Sequence, residues 1–391
     1  MYRLYLLFAI IYLVEGVTEV PFILNVYLRN VLHLEPSQIG QILFLGGLWF
    51  IILKPLIGLA ANFWRGFNRR AVFIFGLLAS AGGWAVIAGA QSQMLLTLGV
   101  SLKVVAIACL DVLIDGMIVE VSTKRNRSFI QSLVYGCRFG GGMLCSILAG
   151  ARIDLGAAAF VQIYYIFSVL SLAALVPVLI YRNVEPAGNA GGELATGPAE
   201  RVSFDEKFSQ LVNPAFGWLL VLMFLFAVGV DTSTYYEPIL QQRFSGEFLG
   251  RITAVYYLGI MAGILTFPLL RLKMGIKIMF ILSLVGWSLA EISCLAIAEW
   301  NGALIYFCAG FFNAYTSIVL LTVAAAMCKI RGIETFAFAV AVTVKNLMDN
   351  SKILTGGYVM EWAGLTWLFV ISSLCGFLPF LILHKIDFSD V

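Results

Sequence analysis

Two aspartates lie four residues apart in the middle of an apolar stretch of the sequence. Asp111 and Asp115 fall within residues 95–121, which otherwise have the composition of a membrane-spanning helix. This spacing places both carboxylates on one helical face, and a charged side chain at the bilayer centre costs about 3 kcal/mol even on lenient insertion scales. The pair therefore indicates a partner cation or a water-filled pathway. Because neighbouring carboxylates suppress each other's ionisation, one of the two is a candidate proton carrier.

A second acidic pair and one arginine extend this polar set. Glu15 and Glu19 have the same four-residue spacing within the first apolar stretch, and we expect them to share in proton coupling with Asp111 and Asp115. Arg138 lies roughly 15 Å inside the next apolar stretch, at the depth of Asp115, so the sequence predicts an Asp115–Arg138 ion pair. Such a pair either interacts with a solute or is a permanent ion pair that holds two helices together.

Three charged residues near the carboxyl end form a stripe. Lys345, Asp349 and Lys352 stand at positions i, i+4 and i+7, which is one face of a helix. The stripe carries one excess positive charge, so it favours a nearby anion or water, although Lys–Asp–Lys pairing is the alternative. Asp231 is a further deep candidate, whereas the two tyrosines that precede Glu237 are typical of an interfacial aromatic belt.

The composition excludes several classes of protein. Hydrophobic residues make up 61% of the 391-residue chain and charged residues only 12%, and the mean hydropathy is +0.95. A soluble chain carries roughly 25% charged residues, so the sequence indicates an integral membrane protein. The net charge of +3 comes without a basic tract interleaved with aromatics, which argues against nucleic-acid binding. The seven cysteines form no C-x-x-C pair, so neither a metal site nor a disulfide framework is predicted.

Enzymatic residues are equally scarce. The two histidines, His33 and His384, both lie near the ends of apolar stretches, and no Ser/His/Asp set accompanies them. No phosphate-binding P-loop is present either, so ATP is not expected to supply the energy. The sequence predicts a protein that is not an enzyme and that needs no cofactor.

Apolar runs of about 20 residues are the signature of membrane-spanning helices. We place twelve of them along the chain, at residues 3–29, 37–61, 71–91, 95–121, 128–150, 158–181, 214–241, 248–270, 276–298, 302–327, 333–359 and 364–384. With the amino terminus in the cytoplasm, the inside segments hold 16 Lys and Arg residues and the outside segments hold 4. Because cytoplasmic loops carry the excess of positive charge, both termini are predicted to be cytoplasmic, in a plasma or inner membrane.

One connection is longer than the others. Residues 184–213 are rich in Gly, Ala, Pro and charge, and they read as a flexible cytoplasmic linker. The linker divides the chain into two six-helix bundles, residues 1–183 and 214–391. We therefore expect an all-α membrane protein of twelve spans in the major facilitator arrangement, in which two bundles rock about a central site.

Several motifs resemble those of the folate-biopterin transporter family of the major facilitator superfamily. They occur in the right order between about Lys54 and Thr366, and together they are more specific than any one of them. The motifs are Lys54-Pro-Leu-Ile-Gly58 with its basic loop, Asp111-Val-x-x-Asp115-x-x-x-Val-Glu120, Gln131-Ser-Leu with Arg138 and Gly140-Gly-Gly142, Phe248-Leu-Gly-Arg251, Gly332-Ile-Glu334, and Lys345-Asn346. There are departures: Asn62 stands where that family usually has Asp, and Lys345 where a neutral residue is more usual.

The resemblance implies secondary active transport of a folate- or pterin-like organic anion by alternating access. Because an anion that enters against a negative-inside potential must be driven, we expect protons to be the coupling ion, and we expect a monomer as the functional unit. The expected solute-binding residues are Arg138, Lys345, Asn346, Asp349, Lys352, Asp231 and Lys103. The expected proton-coupling residues are Asp111, Asp115, Glu15 and Glu19, and the expected cytoplasmic gate is Lys54, Glu120, Arg69 and Arg70. Two alternatives stay open: another solute, such as an amino acid, a peptidoglycan fragment or a different organic anion, or a non-transporting factor for assembly or pigment delivery.

Overall fold

The computed structural model describes the backbone of residues 2–63, 67–121, 127–181, 214–271, 273–328, 334–386 and 388. Every regular element in these ranges is helical. The predicted linker, residues 184–213, lies outside the described residues. Residues 2–181 are called the first half below, and residues 214–388 the second half.

The described residues contain fourteen α-helices. In the first half they are α1 (Tyr2–Thr18), α2 (Pro21–Val26), α3 (Pro36–Phe63), α4 (Arg69–Gly89), α5 (Gln93–Val121), α6 (Arg127–Ile153), α7 (Ala157–Ala173) and α8 (Leu175–Ile180). In the second half they are α9 (Pro214–Ala227), α10 (Ser233–Arg243), α11 (Gly246–Arg271), α12 (Ile276–Ser293), α13 (Gly302–Met327) and α14 (Glu334–Cys375). A π-helical turn (Tyr27–Val31) follows α2, and 3₁₀ turns occupy Cys294–Ala296 and Leu378–Ile382.

Ten helical stretches of the described chain are long and apolar enough to cross a membrane. The last of them, Ala337–Ile382, has 46 residues, about twice the length that one crossing needs. It is interrupted at Gly364, whose φ of 79° is accessible to glycine without strain. The helix α14 therefore consists of two arms that join at this glycine.

The predicted seventh span is a broken helix. The helix α9 ends at Ala227 and α10 begins at Ser233, with Gly229 at a φ of 149° between them. The first predicted span is also interrupted, because Glu19 and Val20 separate α1 from α2, and Pro21 begins α2 without needing a backbone donor. Interruptions at membrane depth are tolerated where the freed backbone groups face protein or a water-filled space.

The two halves repeat one packing pattern. In the first half α1 packs on α6, α3 on α5, and α4 on both α5 and α7. In the second half α9 packs on α14, α11 on α13, and α12 on both α13 and α14. The halves meet where α3 packs on α14, α6 on α11, and α2 on α10.

Glycines allow the closest of these approaches. A Cβ atom on Gly150 of α6 would lie 2.6 Å from the Cα atom of Gly250 and 2.7 Å from the carbonyl oxygen of Gly246, both on α11. On the other side, a Cβ atom on Gly47 of α3 would overlap the amide oxygen of Asn350 of α14. The halves therefore touch backbone to backbone at α6 and α11.

The hydrophobic cores show where the halves join. One buried cluster draws on both halves and includes Trp84, Tyr164, Tyr235 and Phe369. A second cluster contains residues of the second half alone, and a third contains residues of the first half alone. The shared core lies toward the end of the helices that carries Asn30, which we call the Asn30 face. The separate cores lie toward the opposite end, the amino-terminal face.

Polar contacts close the Asn30 face. Five residues, hereafter the seal, join the halves there: Asn25, Asn30, Asp154, Glu237 and Gln241. The amide of Asn25 donates to Glu237 Oε2 at 2.7 Å, and Asn30 Nδ2 donates to Gln241 Oε1 at 2.7 Å. Gln241 Nε2 in turn donates to Asp154 Oδ1 at 3.0 Å. The structure is therefore closed at the Asn30 face.

Candidate functional site

Four charged side chains from four helices of the first half, Arg138 among them, form one chain of ion pairs. Its Nη2 atom lies 2.7 Å from Glu15 Oε1, and its Nη1 atom lies 3.5 Å from Asp111 Oδ1. Lys54 Nζ lies 3.0 Å from the other oxygen of Asp111. We call Glu15, Lys54, Asp111 and Arg138 the first-half cluster. With both acids ionised, its formal charge is zero.

Two glycines explain why Glu15 reaches Arg138. A Cβ atom on Gly16 would overlap the carbonyl oxygen of Arg138, and a Cβ atom on Gly141 would lie 2.5 Å from the carbonyl oxygen of Leu13. Only glycine at these positions allows α1 to approach α6 so closely. The residue next to Gly16 is Glu15, so the close approach brings its carboxylate to the guanidinium of α6.

Glu15 is the least solvated member of the first-half cluster. Its side chain is 3% exposed, and neither of its oxygens has a hydrogen bond among the described residues, because Arg138 approaches it off the hydrogen-bond direction. A cavity of about 10 Å³ lies beside it, lined by Thr18, Glu19 and Ser80 among others. That volume is about the space that one water molecule requires.

The ion pair that the sequence predicts between Asp115 and Arg138 depends on a side chain that is not described. The side chains of Asp115 and Glu120 both lie outside the described residues. Within those residues Arg138 pairs with Glu15 and Asp111. The rotation of α1 against α6 brings Glu15 to Arg138, and the Asp115–Arg138 pair stays a prediction.

Lys103 and Glu19 form a separate pair deeper in the first half. Lys103 Nζ lies 3.1 Å from Glu19 Oε2 and 4.0 Å from the centre of the Trp84 ring. The Lys103 side chain is 9% exposed. The geometry therefore places this lysine between a carboxylate and an aromatic face, with Glu19 four residues along the chain from Glu15 of the first-half cluster.

The predicted stripe on α14 is present. Lys345 Nζ lies 2.5 Å from one oxygen of Asp349, and Lys352 Nζ lies 3.1 Å from the other. Both ammonium groups also lie near aromatic rings: Lys352 is 5.7 Å from the centre of Trp287, and Lys345 is 5.9 Å from that of Phe226. The stripe therefore carries a net charge of +1 next to two aromatic side chains. Asn346 follows Lys345 on the same helix and is partly buried.

Helix rotation shows that these charges do not face lipid. Asp349 stands nine residues before the exposed Tyr358, which is half a turn around α14. Arg138 stands nine residues before the exposed Ile147 of α6, with the same offset. On α3 the exposed apolar stripe turns away from Lys54 and consists of Leu45, Trp49, Ile52, Leu56 and Leu59. The partly exposed charges thus face space inside the protein.

The first-half cluster and the α14 stripe lie at similar depths along the helices. Asn350 of α14 donates to the carbonyl oxygen of Phe44 at 2.9 Å, which fixes the level of α14 against α3. Lys54 is ten residues from Phe44 along α3, and Lys345 is five residues from Asn350 along the antiparallel α14. At 1.5 Å per residue the two lysines differ in depth by roughly 8 Å.

Asp231 has a structural task that the sequence did not reveal. Its Oδ2 atom accepts the backbone N–H of Thr234 at 2.9 Å, and its Oδ1 atom accepts the hydroxyl of Ser233 at 3.2 Å. Its own backbone N–H donates to the carbonyl oxygen of Lys352 at 3.0 Å. These bonds stabilise the start of α10, and they connect the interruption between α9 and α10 to the stripe on α14. Gly229 in a span otherwise rich in large apolar residues was the signal for this break.

The predicted gate residues are only partly described. Lys54 belongs to the first-half cluster, and Arg70 Nη2 donates to the carbonyl oxygen of Leu179 at 2.8 Å. Arg69 begins α4 after the N-cap Asn68, whose side chain accepts the N–H of Ala71. All of them except Lys54 lie toward the amino-terminal face.

Glu291 and Glu237 are not among the predicted site residues, yet both carboxylates accept hydrogen bonds. Glu291 Oε1 accepts hydrogen bonds from the hydroxyls of Thr232 and Ser372, the latter at 3.1 Å. Glu237 belongs to the seal. Burial of Glu237 by the opposite half could not be anticipated from the interfacial level at which the sequence places it.

Comparisons with known proteins agree with this architecture. A family model described as Major Facilitator Superfamily matches residues 4–271. A folate-biopterin transporter of Synechocystis sp. is 24% identical over 412 residues, which cover 97% of this chain and 81% of that protein. The crystal structure of a mutant of the nucleoside transporter NupG superposes with a TM-score of 0.77 at 14% identity, covering 98% of this chain and 100% of that one. The chain therefore belongs to the Major Facilitator Superfamily and is a multi-pass membrane transporter of a small-molecule solute, not an enzyme.

Proposed function

We propose that the protein is a secondary active transporter of a folate- or pterin-like organic anion, driven by protons. The observation that carries this proposal is the α14 stripe, which combines a net positive charge with two aromatic rings on a face turned away from lipid. Similarity to a folate-biopterin transporter supports the choice of solute.

The stripe has the chemistry that such a solute needs. Each lysine ammonium has three donors, and Asp349 occupies one on Lys345 and one on Lys352. The remaining donors suit the carboxylates of a folate tail. Phe226 and Trp287 offer ring faces to a flat pterin, since aromatic systems pair by offset or edge-to-face contact.

The first-half cluster suits proton coupling. It is neutral while Glu15 and Asp111 are both ionised, so binding one proton gives it a charge of +1. A positive cluster attracts an anion, and an anion in turn favours the proton. Entry of an anion against a negative-inside potential costs about 2.3 kcal/mol per charge per 100 mV, and a co-transported proton offsets that cost.

Of the two acids in the first-half cluster, Glu15 is a better proton carrier than Asp111. Asp111 accepts a hydrogen bond from Lys54 at 3.0 Å and one from Arg138 at 3.5 Å, so its charged form is held by donors on both oxygens. Glu15 has only the off-axis approach of Arg138. Glu19, paired with Lys103, and Asp115 remain secondary candidates.

The proposed architecture has twelve spans in two six-helix bundles, with residues 1–183 and 214–391 as the bundles and 184–213 as a cytoplasmic linker. The two arms of α14 supply two spans, and α9 with α10 supplies another. The repeated packing pattern of the halves supports this count. The loop charge bias supports an amino terminus in the cytoplasm. The Asn30 face is then external, and Arg69, Arg70 and Glu120 belong to the cytoplasmic side.

Transport of folate is tested by reconstitution into liposomes with an imposed pH gradient. We expect folate to accumulate against its concentration gradient when the outside is acidic, and the accumulation to cease when the gradient is dissipated. Pterins without carboxylates, amino acids and peptidoglycan fragments in the same panel separate the proposed solute from others. Binding of every organic anion without any uptake would instead favour the alternative of a delivery or assembly factor.

The role of Glu15 is tested by Glu15→Gln. The variant should lose uphill uptake yet retain exchange of folate for folate, because exchange moves no net proton. The matched control is Glu247→Gln, which removes an exposed acid paired with Arg251 and should behave as the unmodified protein. Uptake that ignores the pH gradient, or uphill uptake by Glu15→Gln, contradicts proton coupling through this residue.

A further inference from the structure

One buried acid belongs neither to the first-half cluster nor to the α14 stripe. Glu237 of α10 is 7% exposed and sits where the second half meets α2 of the first half. Its Oε2 atom accepts a hydrogen bond of 2.7 Å from the Asn25 amide, and Asn25 is itself 3% exposed. This bond is the innermost contact of the seal, because Asn25 and Glu237 both lie closer to the middle of their helices than Asn30 and Gln241 do.

The groups around Glu237 from α11 and α13 are neutral. Tyr256 and Tyr257 of α11 and Tyr306 of α13 lie within electrostatic range of its carboxyl. On its own chain segment Asp231, which is another acid, lies within electrostatic range. None of these groups compensates a negative charge on Glu237.

The remaining neighbours supply no cation either, as far as the described residues show. The helix α2 has no ionisable side chain. The charged residues of α14 point elsewhere: Lys352 binds Asp349 and lies near Trp287, while Glu361 accepts a hydrogen bond from Ser37. Arg243, at the end of α10, stacks on Phe244. A charged Glu237 would therefore be a buried anion with one amide hydrogen bond.

Protonation removes this difficulty. A protonated carboxyl keeps one oxygen for the Asn25 amide and carries no charge that needs a nearby cation. Separation of α2 from α10 would break the Asn25–Glu237 bond and admit water, which stabilises the ionised form. Closure of the Asn30 face and a proton on Glu237 thus favour each other.

We propose that Glu237 is a proton-binding site that controls the seal: the proton stabilises the closed Asn30 face, and its loss opens that face. This proposal rests on the alternating access of the proposed function but not on the identity of the solute. If the closed state binds one more proton than the open state, the ratio of closed to open molecules rises up to tenfold for each unit by which pH falls.

The opening of the Asn30 face can be measured without any solute. Spin labels at Leu155→Cys, between α6 and α7, and at Trp300→Cys, before α13, lie on opposite halves at exposed positions of this face. Native cysteines are replaced beforehand, and pulsed electron-spin distance measurements in nanodiscs follow the label separation between pH 5 and pH 8, about the range in which a perturbed carboxyl titrates. We expect the short-distance population to grow as pH falls.

The decisive variant is Glu237→Gln, which mimics the protonated side chain in shape. It should remain closed across the whole pH range. The matched control is Glu361→Gln, which removes an exposed acid that also bridges the halves at the same face, through Ser37. This control should keep the full pH response. If the Asn30 face of the Glu237→Gln variant opens with rising pH as it does in the control, the proposal is overturned.

A second variant covers the case in which Glu237→Gln does not fold. Glu237→Asp keeps an ionisable group, so infrared difference spectra between acid and neutral pH should show a protonated-carboxyl band whose position differs from that of the unmodified protein. An unchanged band, or none in either protein, would overturn the assignment. Failure of folate uptake with an intact pH response of the label distance would contradict the proposed function alone.

Discussion

The net charge of the α14 stripe predicts that substitutions of Asp349 and Lys352, which pair with each other, change the affinity for an anion in opposite directions. Replacing Lys352 with Gln removes a donor from the solute, whereas replacing Asp349 with Asn removes a competing acceptor and raises the stripe from +1 to +2. If the stripe binds an anion, the first change weakens binding and the second strengthens it. If the stripe only holds the helix together through its ion pairs, both changes disturb the stripe and both weaken folate binding.

The magnitude follows from the geometry. Asp349 Oδ1 lies 3.1 Å from Lys352 Nζ, so a solute carboxylate on the far side of that ammonium would lie about 6 Å from Asp349, where two unit charges interact by about 3 kcal/mol at an effective dielectric constant of 20. The Asp349 side chain is 35% exposed, and water screens part of this repulsion. We expect Asp349→Asn to tighten folate binding about tenfold, or about 1.4 kcal/mol. Lys352→Gln should weaken it by about 1.5–3 kcal/mol, the range for hydrogen bonds to charged groups.

Calorimetric titration of the purified transporter in nanodiscs measures these affinities. Biopterin, which lacks carboxylates, provides an internal control, because its affinity should change much less than that of folate in both variants. Arg251→Gln controls for the loss of a positive charge, since Arg251 is 69% exposed and pairs only with its helix neighbour Glu247 among the described residues. Equal weakening of folate binding in Asp349→Asn and Lys352→Gln would refute the anion-binding role of the stripe.

Three further changes test the rest of the structure. Gly16→Ala should lower the midpoint of thermal unfolding in detergent by forcing α1 away from α6, at about 1–3 kcal/mol for overpacking, whereas Gly140→Ala, which meets no atom within 4 Å, should leave the midpoint unchanged or raise it. Lys103→Gln should lower the same midpoint by leaving Glu19 unpaired, with folate affinity retained; a selective loss of affinity would instead support its predicted role in solute binding. Cysteines at Gln91 and Lys273 should label from outside and from inside respectively in intact cells, and the reverse pattern would contradict the proposed orientation.

Local geometry is the part of the site that the sequence predicts well. The spacing of Lys345, Asp349 and Lys352 fixes their common face as soon as the segment is helical, and the structure shows the pairing that this spacing allows. The helical class and the membrane location follow as directly from apolar run lengths and the low charge content. Both inferences depend only on neighbours along the chain.

Contacts between helices are harder to predict. The depth of Arg138 follows from the sequence but the rotation of α6 does not, so Glu15 could not be predicted as a partner of Arg138. Glu237 is similar, because its burial depends on Asn25, which is 212 residues away along the chain. Gly16 held the missing information, but a glycine in a membrane helix signals a bend, a break or a close approach equally well.

The contact of Gly150 with Gly246 and Gly250 has a mechanical consequence. Interlocked side chains must leave their grooves before two helices can tilt, whereas two bare backbones can roll over each other with little change in rotamers. The α6–α11 contact therefore suits a pivot for movement of one half against the other, with the barrier to tilting set by the more distant polar contacts. A graded series of side chains at Gly250 would then act as wedges of increasing size, each fixing a different angle between the halves.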